Sequence, residues 1–508
     1  MFDGLALLAA GIAHFMTPVS LFNVAWATLL GIVVGALPGL TATMGVALLV
    51  TLTYKMAPDQ AILVLMCVYV GAIYGGSRTA ILLAIPGTPA SAATTLDGHP
   101  LALQGKAGMA MGLATTSSAI GTIVGIVFLA VLAPLLGEAA LNFGTYEFFW
   151  LALFGVLISG QLTALDDPLK GYIAGILGLL VAMVGMETLH AHFRFTFGIQ
   201  ALSGGVDLIP AMVGAFGLAE ILAVMKRTAE AQIVSSTDRV VPRFKDVWRY
   251  RATTLRSGII GTFVGIIPGV GEDVGAWASY AAARRASKER HLFGKGSQEG
   301  LIAAETGNSA VIPGAMIPTL TLALPGSAAA AVLIAAMFIH GIRPGPLLMV
   351  ENPEFLYQIV AILLLATIAI TVFGLSLTRP LLLVLQVPRE RLMAVVYVLC
   401  VVGSFAITQR MFDVYVMLAF GVIGFILREM KYPMAPLVLG IILGDLLDLN
   451  LRRGLLLTQG DPTPFFTRPI SMVIWIIILV SILMAIPAVN RRVRSLFNSR
   501  KTRTPDAG

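Results

Sequence analysis

Two carboxylates stand where carboxylates are expensive. Glu272 and Asp273 follow a proline–glycine break in GIIPGVGEDVGAW (265–277), an otherwise apolar run. An ionisable group inside a membrane segment marks an ion or proton pathway by default, so the pair are candidates for a Na+ or H+ site or for partners of a nearby cation. A shallow hairpin with solvated carboxylates is the alternative. Hydroxyl-bearing residues gather at the other breaks: Thr41 and Thr43 after Pro38-Gly39, Thr88, Ser91, Thr94 and Thr95 around Pro86-Gly87, and Ser327 after Pro325-Gly326. Such groups hydrogen-bond a carboxylate without adding a buried charge, though small residues also serve close helix packing in membranes. Arg78, the one Lys or Arg between Lys55 and Lys106, could grip a carboxylate in bidentate fashion or pair with Asp97 or another acid. His99 and His340 each border a glycine, where a turn role is the simpler reading.

The elements that position these groups recur. GALPGLTATMGVA (35–47) is answered by GIIPGVGEDVGAW at an offset of 230 residues, and IPGTPASAAT (85–94) by LPGSAAAAVL (324–333) at an offset of 239. Two different breaks in the same order indicate a duplicated membrane domain. Paired Gly/Pro-interrupted apolar segments in corresponding halves point to the binding site of a secondary transporter. A half-helix N-terminus beside each break presents free N–H groups that suit an anion. By the offset of 230, Glu272 and Asp273 correspond to Ala42 and Thr43, so the halves are not chemically equivalent.

Composition sets the class. Charged residues are 12% and hydrophobic residues 57% of the 508, against roughly 25% charged in soluble domains. Ile470 to Val489 is free of charge and reaches the length of about 20 residues that a bilayer crossing needs. Further spans or half-spans are expected at 20–37, 40–54, 58–76, 79–95, 107–134, 146–161, 169–186 and 207–225. In the second half they are expected at 257–267, 269–283, 299–324, 326–342, 354–378, 391–407, 411–427 and 434–450. The fold class is therefore all-α: a polytopic helical membrane protein in the lipid bilayer, with two inverted-topology repeats and broken or re-entrant helices. The apolar run Leu5–Phe15 is too short to span and is expected at the interface. Cys67 and Cys400, each in an apolar stretch, read as packing thiols.

The net charge of +7 is a matter of placement, not of nucleic-acid binding. Lys and Arg concentrate at 226–256, at 284–295 and at 491–503, and excess Lys and Arg mark cytoplasmic loops. The expected organisation is a first membrane repeat (1–225), a basic cytoplasmic linker (226–256), a second repeat (257–450), a loop and final helix (451–490) and a basic cytoplasmic tail (491–508). Both flanks of 257–283 are basic, which predicts a hairpin entering and leaving on one side, its tip near Pro268-Gly269-Val270-Gly271. Counting spans back from a cytoplasmic C-terminus leaves 451–468 outside, where Arg452, Arg453 and Arg468 break the rule. Either the count fails there or those arginines serve a partner or substrate.

No phosphate loop with a following Lys and no metal-spaced His/Cys cluster occurs in the sequence, so an ion gradient is the expected energy source and no cofactor is expected beyond Na+ or H+. An aspartyl dyad at Glu272 and Asp273 is disfavoured, since adjacent helical residues point about 100° apart.

The motifs YGGSRTAILLAIPGTPASAATTLDGHPLA (74–102), PGVGEDVGAWASY (268–280), FGKGSQEGLIAAETGNSA (293–310), LPGSAAAAVLIAAMFIHGIRPGPLL (324–348) and LRRGLLLTQGD (451–461) resemble those of the large membrane subunit of tripartite tricarboxylate transporters, the TctA family. The resemblance implies a bacterial inner-membrane importer of di- or tricarboxylates and related organic acids. Its partners would be a small membrane subunit of about four helices and a periplasmic substrate-binding protein, with Na+ or H+ as driving ion. It also implies that Pro38, Gly39, Pro86, Gly87, Pro268, Gly269, Gly271, Pro325 and Gly326 line the substrate region. ETGNSA (305–310) stands where an EAANNA-like run is expected, so an ion-ligating pair there would be Asn308 and Ser309. Arg78 stands where relatives are expected to be uncharged. An autonomous organic-anion transporter that needs no binding protein is the alternative.

Overall fold

The computed structural model describes residues 2–37, 40–164, 167–187, 189, 191–225, 238–377 and 389–485. Pro38 and Gly39, Arg379, residues 226–237 of the basic linker and the tail 491–508 lie outside them. The first half contains α1 (Phe2–Phe15), α2 (Pro18–Ala36), α3 (Ala42–Thr53), α4 (Pro58–Leu83), α5 (Ala92–Leu101), α6 (Ala107–Ala140), α7 (Thr145–Thr163), α8 (Pro168–Ala182), α9 (Leu208–Met212) and α10 (Ala219–Met225). After α11 (Phe244–Trp248) come α12 (Arg251–Ile266), α13 (Gly271–Ala286), α14 (Gln298–Leu322), α15 (Ala328–Ile339), α16 (Pro346–Glu351) and α17 (Pro353–Ser376). The chain then forms α18 (Arg389–Thr408), α19 (Met411–Glu429), α20 (Met434–Leu457), α21 (Thr463–Thr467) and α22 (Pro469–Ala485). A two-residue ribbon, β1 (Gly185–Met186) with β2 (Phe193–Arg194), lies between α8 and α9.

Seven described helices are long and apolar enough to cross a membrane, and the protein is an all-α polytopic membrane protein. Two helices form its centre. Every residue of α4 from Ala61 to Leu82 and of α14 from Glu299 to Leu322 is buried, as expected of helices apolar all round. Large apolar side chains on the peripheral helices point outward instead, Val127 and Val131 on α6 and Ile476 and Ile477 on α22 among them. That is the surface a lipid environment tolerates.

The sequence offsets reappear as matched packing. α2 lies on α4 and α12 on α14. A Cβ at Gly75 would strike the Ile32 carbonyl, and one at Gly314 the Thr262 carbonyl. Likewise Gly87 sits on the Gly35 carbonyl and Gly326 on that of Gly265. Each central helix ends on an alanine in the left-handed region, Ala84 (φ 54°) and Ala323 (φ 55°), which stops the helix just before its Pro-Gly pair.

The breaks are of two kinds. α12 and α13 form a hairpin, with Ser279 bonding back to the Ser257 carbonyl (3.3 Å). Its tip turns through Gly269 and Gly271, both at positive φ (71° and 78°), a backbone that glycine adopts without strain. At the second break the chain instead unwinds and restarts. His99 meets the Ile81 carbonyl at 3.0 Å, while Thr94 and Ser77 reach one carboxylate, so α5 runs beside the last turns of α4 in the same direction. The expectation of separate segments at 58–76 and 79–95 is corrected here: α4 is continuous through Gly75, Gly76 and Arg78, because the apolar run carries on to Leu83 before Pro86 removes a donor.

The arginines at 452 and 468 have intramolecular partners. Arg452 pairs with Asp448 (2.9 Å) and Glu187 (3.4 Å), and Arg468 with Glu147 (3.4 Å). Their charges are matched by carboxylates, so they need not obey a rule written for free loop charges.

Candidate functional site

Residues beside the breaks meet at one place. A cavity of about 140 Å³ is lined by Thr41 and Thr43 at the start of α3, by Thr88 after the second break, by Gly269, Gly271, Glu272 and Asp273 at the third, and by Ala328 at the start of α15. Three helices of 12 to 16 residues thus begin at its wall. Thr41 caps α3 by accepting the Met44 N–H (3.2 Å), and Ser327 caps α15 by accepting that of Ala330 (3.2 Å). A hydroxyl that spans its own cap leaves other N–H groups of the first turn unspent, and the N-terminal partial charges favour an anion.

The wall is laced across the breaks. The Gly269 N–H donates to the Pro325 carbonyl (2.9 Å) and the Gly271 N–H to that of Gly326 (3.2 Å). Tyr69 of α4 donates to the Glu272 carboxylate, and its oxygen lies 2.7 Å from Ser327 Oγ. Glu272 is therefore held from behind, while the half-buried Asp273 faces the cavity from the same turn. The N-termini of α3 and α15, together with the two carboxylates in the first turn of α13, suit a carboxylate ligand bound together with a cation.

Other expected site residues sit further back. Pro86 and Gly87 lie in the unwound stretch, with the Gly87 N–H on the Gly76 carbonyl (3.3 Å). Ser91 donates to the Thr88 carbonyl (2.8 Å) beneath the wall. Pro268 packs near Gly155. Asn308 and Ser309 are buried on α14. Arg78 is not brought to this cavity: it is buried, donates to Tyr74 and to the Gly374 carbonyl (2.6 Å) and lies over the Tyr74 ring. Asp97, its suggested partner, accepts instead from Tyr280 (2.9 Å) and from the N–H groups of Gly294, Gly296 and Ser297.

Sequence reasoning missed Tyr69 and Glu305. Glu305 is wholly buried on α14 and accepts from Ser77 of α4 (2.7 and 2.8 Å to its two oxygens), Ser118 of α6 (2.9 Å) and Thr94 of α5. The signal was present, since Glu305 is the one acid in a long apolar run from Leu301 to Val350.

A second cavity, of about 520 Å³, includes Glu187, Arg194, Asp445 and Asp448 in its lining. Arg194 pairs with Asp448 across it (3.0 Å). The two cavities share walls: α15 gives Ala328 to one and Ile334 to the other, α20 gives Ala435 and Ile441, and the helical stretch that continues α9 to Leu218 gives Phe216 and Leu208. Six helical residues are about 9 Å, so three common elements lead from the wide cavity to the narrow one.

Comparison with known proteins places the chain in a family. The family model for the tripartite tricarboxylate transporter TctA family matches residues 21–439. A 52.8 kDa Agrobacterium vitis protein, described as uncharacterized and from the TAR-I ttuC' 3' region, is 34% identical over 492 residues, covering 96% of this chain and 97% of that protein. A second A. vitis protein, from the TAR-II ttuC' 3' region, is 31% identical over 226 residues, covering 44% of this chain and 93% of that protein. No solved structure matches. The chain belongs to the tripartite tricarboxylate transporter TctA family, a family of membrane transporter components.

Proposed function

We propose that this chain is the large membrane subunit of a binding-protein-dependent, ion-gradient-driven importer of di- or tricarboxylates or related organic acids, working by alternating access. The observation that carries the reading is the meeting of three helix N-termini and the carboxylates Glu272 and Asp273 at one cavity. The first set attracts a carboxylate. The second would repel it unless a cation or proton bound as well, which ties substrate to ion.

The two halves, related as inverted repeats, would rock around that cavity, and the wide cavity would be its extracytoplasmic entrance. The protein would sit in the bacterial inner membrane, with the basic segments and the C-terminus in the cytoplasm. A small four-helix membrane subunit and a periplasmic binding protein complete the assembly in this reading. Arg78, Asn308 and Ser309 would act from behind the cavity, through packing or ion binding, not by touching substrate.

The test is uptake of a labelled organic-acid panel into proteoliposomes holding this chain and its small subunit, with and without binding protein and with imposed Na+ or proton gradients. Uptake that needs both binding protein and gradient supports the reading. Equal uptake without binding protein would replace it with an autonomous transporter.

A further inference from the structure

We propose that Glu305 is the proton carrier of this transporter, bound and released inside a cage of three hydroxyls. The inference rests on the transport reading above and adds the ion and the residue. Glu305 has no exposed surface, and its two oxygens receive Ser77, Thr94 and Ser118 from three different helices. The Ser77 and Ser118 contacts, 2.7 to 2.9 Å, are hydrogen-bond lengths. A metal ion placed among these oxygens would have to push them apart, whereas a proton fits without movement.

The cage can serve either state. Around the carboxylate all three hydroxyls donate. When a proton binds, the new acid O–H needs one hydroxyl to turn and accept. A helical Ser or Thr can then send its own proton to the carbonyl one turn back, as Thr115 and Thr122 already do on α6 (2.8 and 2.9 Å). Both states stay satisfied by rotation alone.

The route toward the cavity would run past Asn308. Asn308, one turn along α14 and about 60° around it from Glu305, is fully buried with both its amide oxygen and its amide nitrogen unpartnered. A donor and an acceptor side by side are what a proton-conducting water chain requires. Gly275 packs on the Gly307 carbonyl and Val311, so Asn308 stands between the level of Glu305 and that of Glu272 and Asp273.

The charged surroundings are few. α4 contributes Arg78, whose charge acts on Glu305 while its guanidinium donates to Tyr74, Met111, Thr115 and the Gly374 carbonyl. α5 contributes Asp97, already saturated. α6 has no charged residue between Lys106 and Glu138, α12 only Arg251 and Arg256 at its outer end, and α13 Glu272 and Asp273 at its tip and Arg284 and Arg285 at its far end.

Two measurements on the full chain with its small subunit test the proposal. In proteoliposomes with binding protein, an inward proton gradient should stimulate wild-type uptake, Glu305→Gln should lose that stimulation at least tenfold, and Glu305→Asp should keep part of it. Wild type driven by Na+ with no response to protons, or E305Q responding as wild type, overturns the inference. The second is an infrared acid titration of purified protein, where wild type should gain the carbonyl stretch of a protonated carboxyl that E305Q lacks. Identical spectra overturn the inference even if no organic acid is taken up, an outcome that would sink the transport reading by itself.

Discussion

The Tyr69 hydroxyl lies 2.7 Å from Ser327 Oγ and donates to the Glu272 carboxylate, so one side chain of the first half ties together two breaks of the second. α4 is buried over nearly its whole length, and Tyr69 cannot swing away without repacking it. The contact has the geometry of a latch, since Ser327 also accepts the Ala330 N–H at the cap of α15.

Tyr69→Phe removes the latch while keeping the ring. A hydrogen bond to a charged group contributes roughly 1.5–3 kcal/mol, so uptake per folded protein should fall by about ten- to a hundredfold, with helix content unchanged. Uptake at wild-type rate would show that the bond is structural decoration.

The matched glycines make a symmetric prediction. Gly87→Ala and Gly326→Ala each drive a Cβ into a backbone carbonyl, of Gly35 and Gly265, that cannot move without its helix. Overpacking of this kind costs about 1–3 kcal/mol. Both variants should lose thermal stability in detergent by similar amounts, whereas Gly204→Ala, with nothing within 4 Å, should not. A large effect in one half alone would argue that the duplication does not extend to packing.

What was legible in the sequence follows from what is local. Pro-Gly pairs, apolar runs and charge-free lengths act on their own few residues, so the hairpin at 257–283, the break after α14 and the convergence of Thr41, Thr43, Thr88, Glu272 and Asp273 could be read ahead. Arg78 offered two readings, a grip on a carboxylate or a pairing with an acid, and its bonds to Tyr74 and the Gly374 carbonyl follow from neither. Its role is set by the Gly374 carbonyl, nearly 300 residues away, which no spacing rule reveals. Tyr69 was hidden among apolar neighbours for the same reason. Glu305 was visible as a lone acid, but its cage is assembled from three other helices.

The ion pairs at 452 predict coupling between distant segments. Glu187 is buried, and Arg452, about a third exposed, pairs with both it and Asp448. Removing the arginine takes one cationic partner from the buried Glu187, a loss that in a fully buried pair costs about 3–5 kcal/mol and here less, because water screens the exposed partner. Arg452→Gln should lower the melting temperature, and adding Glu187→Gln should restore part of it. A double-mutant cycle with no coupling would detach the loop before β2 from α20.

Arg78 gives the sharpest separation of stability from specificity. Its guanidinium donates to Tyr74 and the Gly374 carbonyl inside the α4–α17 contact, and it does not line the cavity where substrate is proposed to bind. Arg78→Gln leaves buried acceptors unmet, each worth roughly 1–3 kcal/mol. The variant should melt earlier and yield less folded protein, while the KM of what remains for organic acids stays within about twofold, under 0.5 kcal/mol in binding. A tenfold rise in KM at unchanged melting temperature would reverse the assignment, since only a residue touching the substrate loses affinity without losing stability.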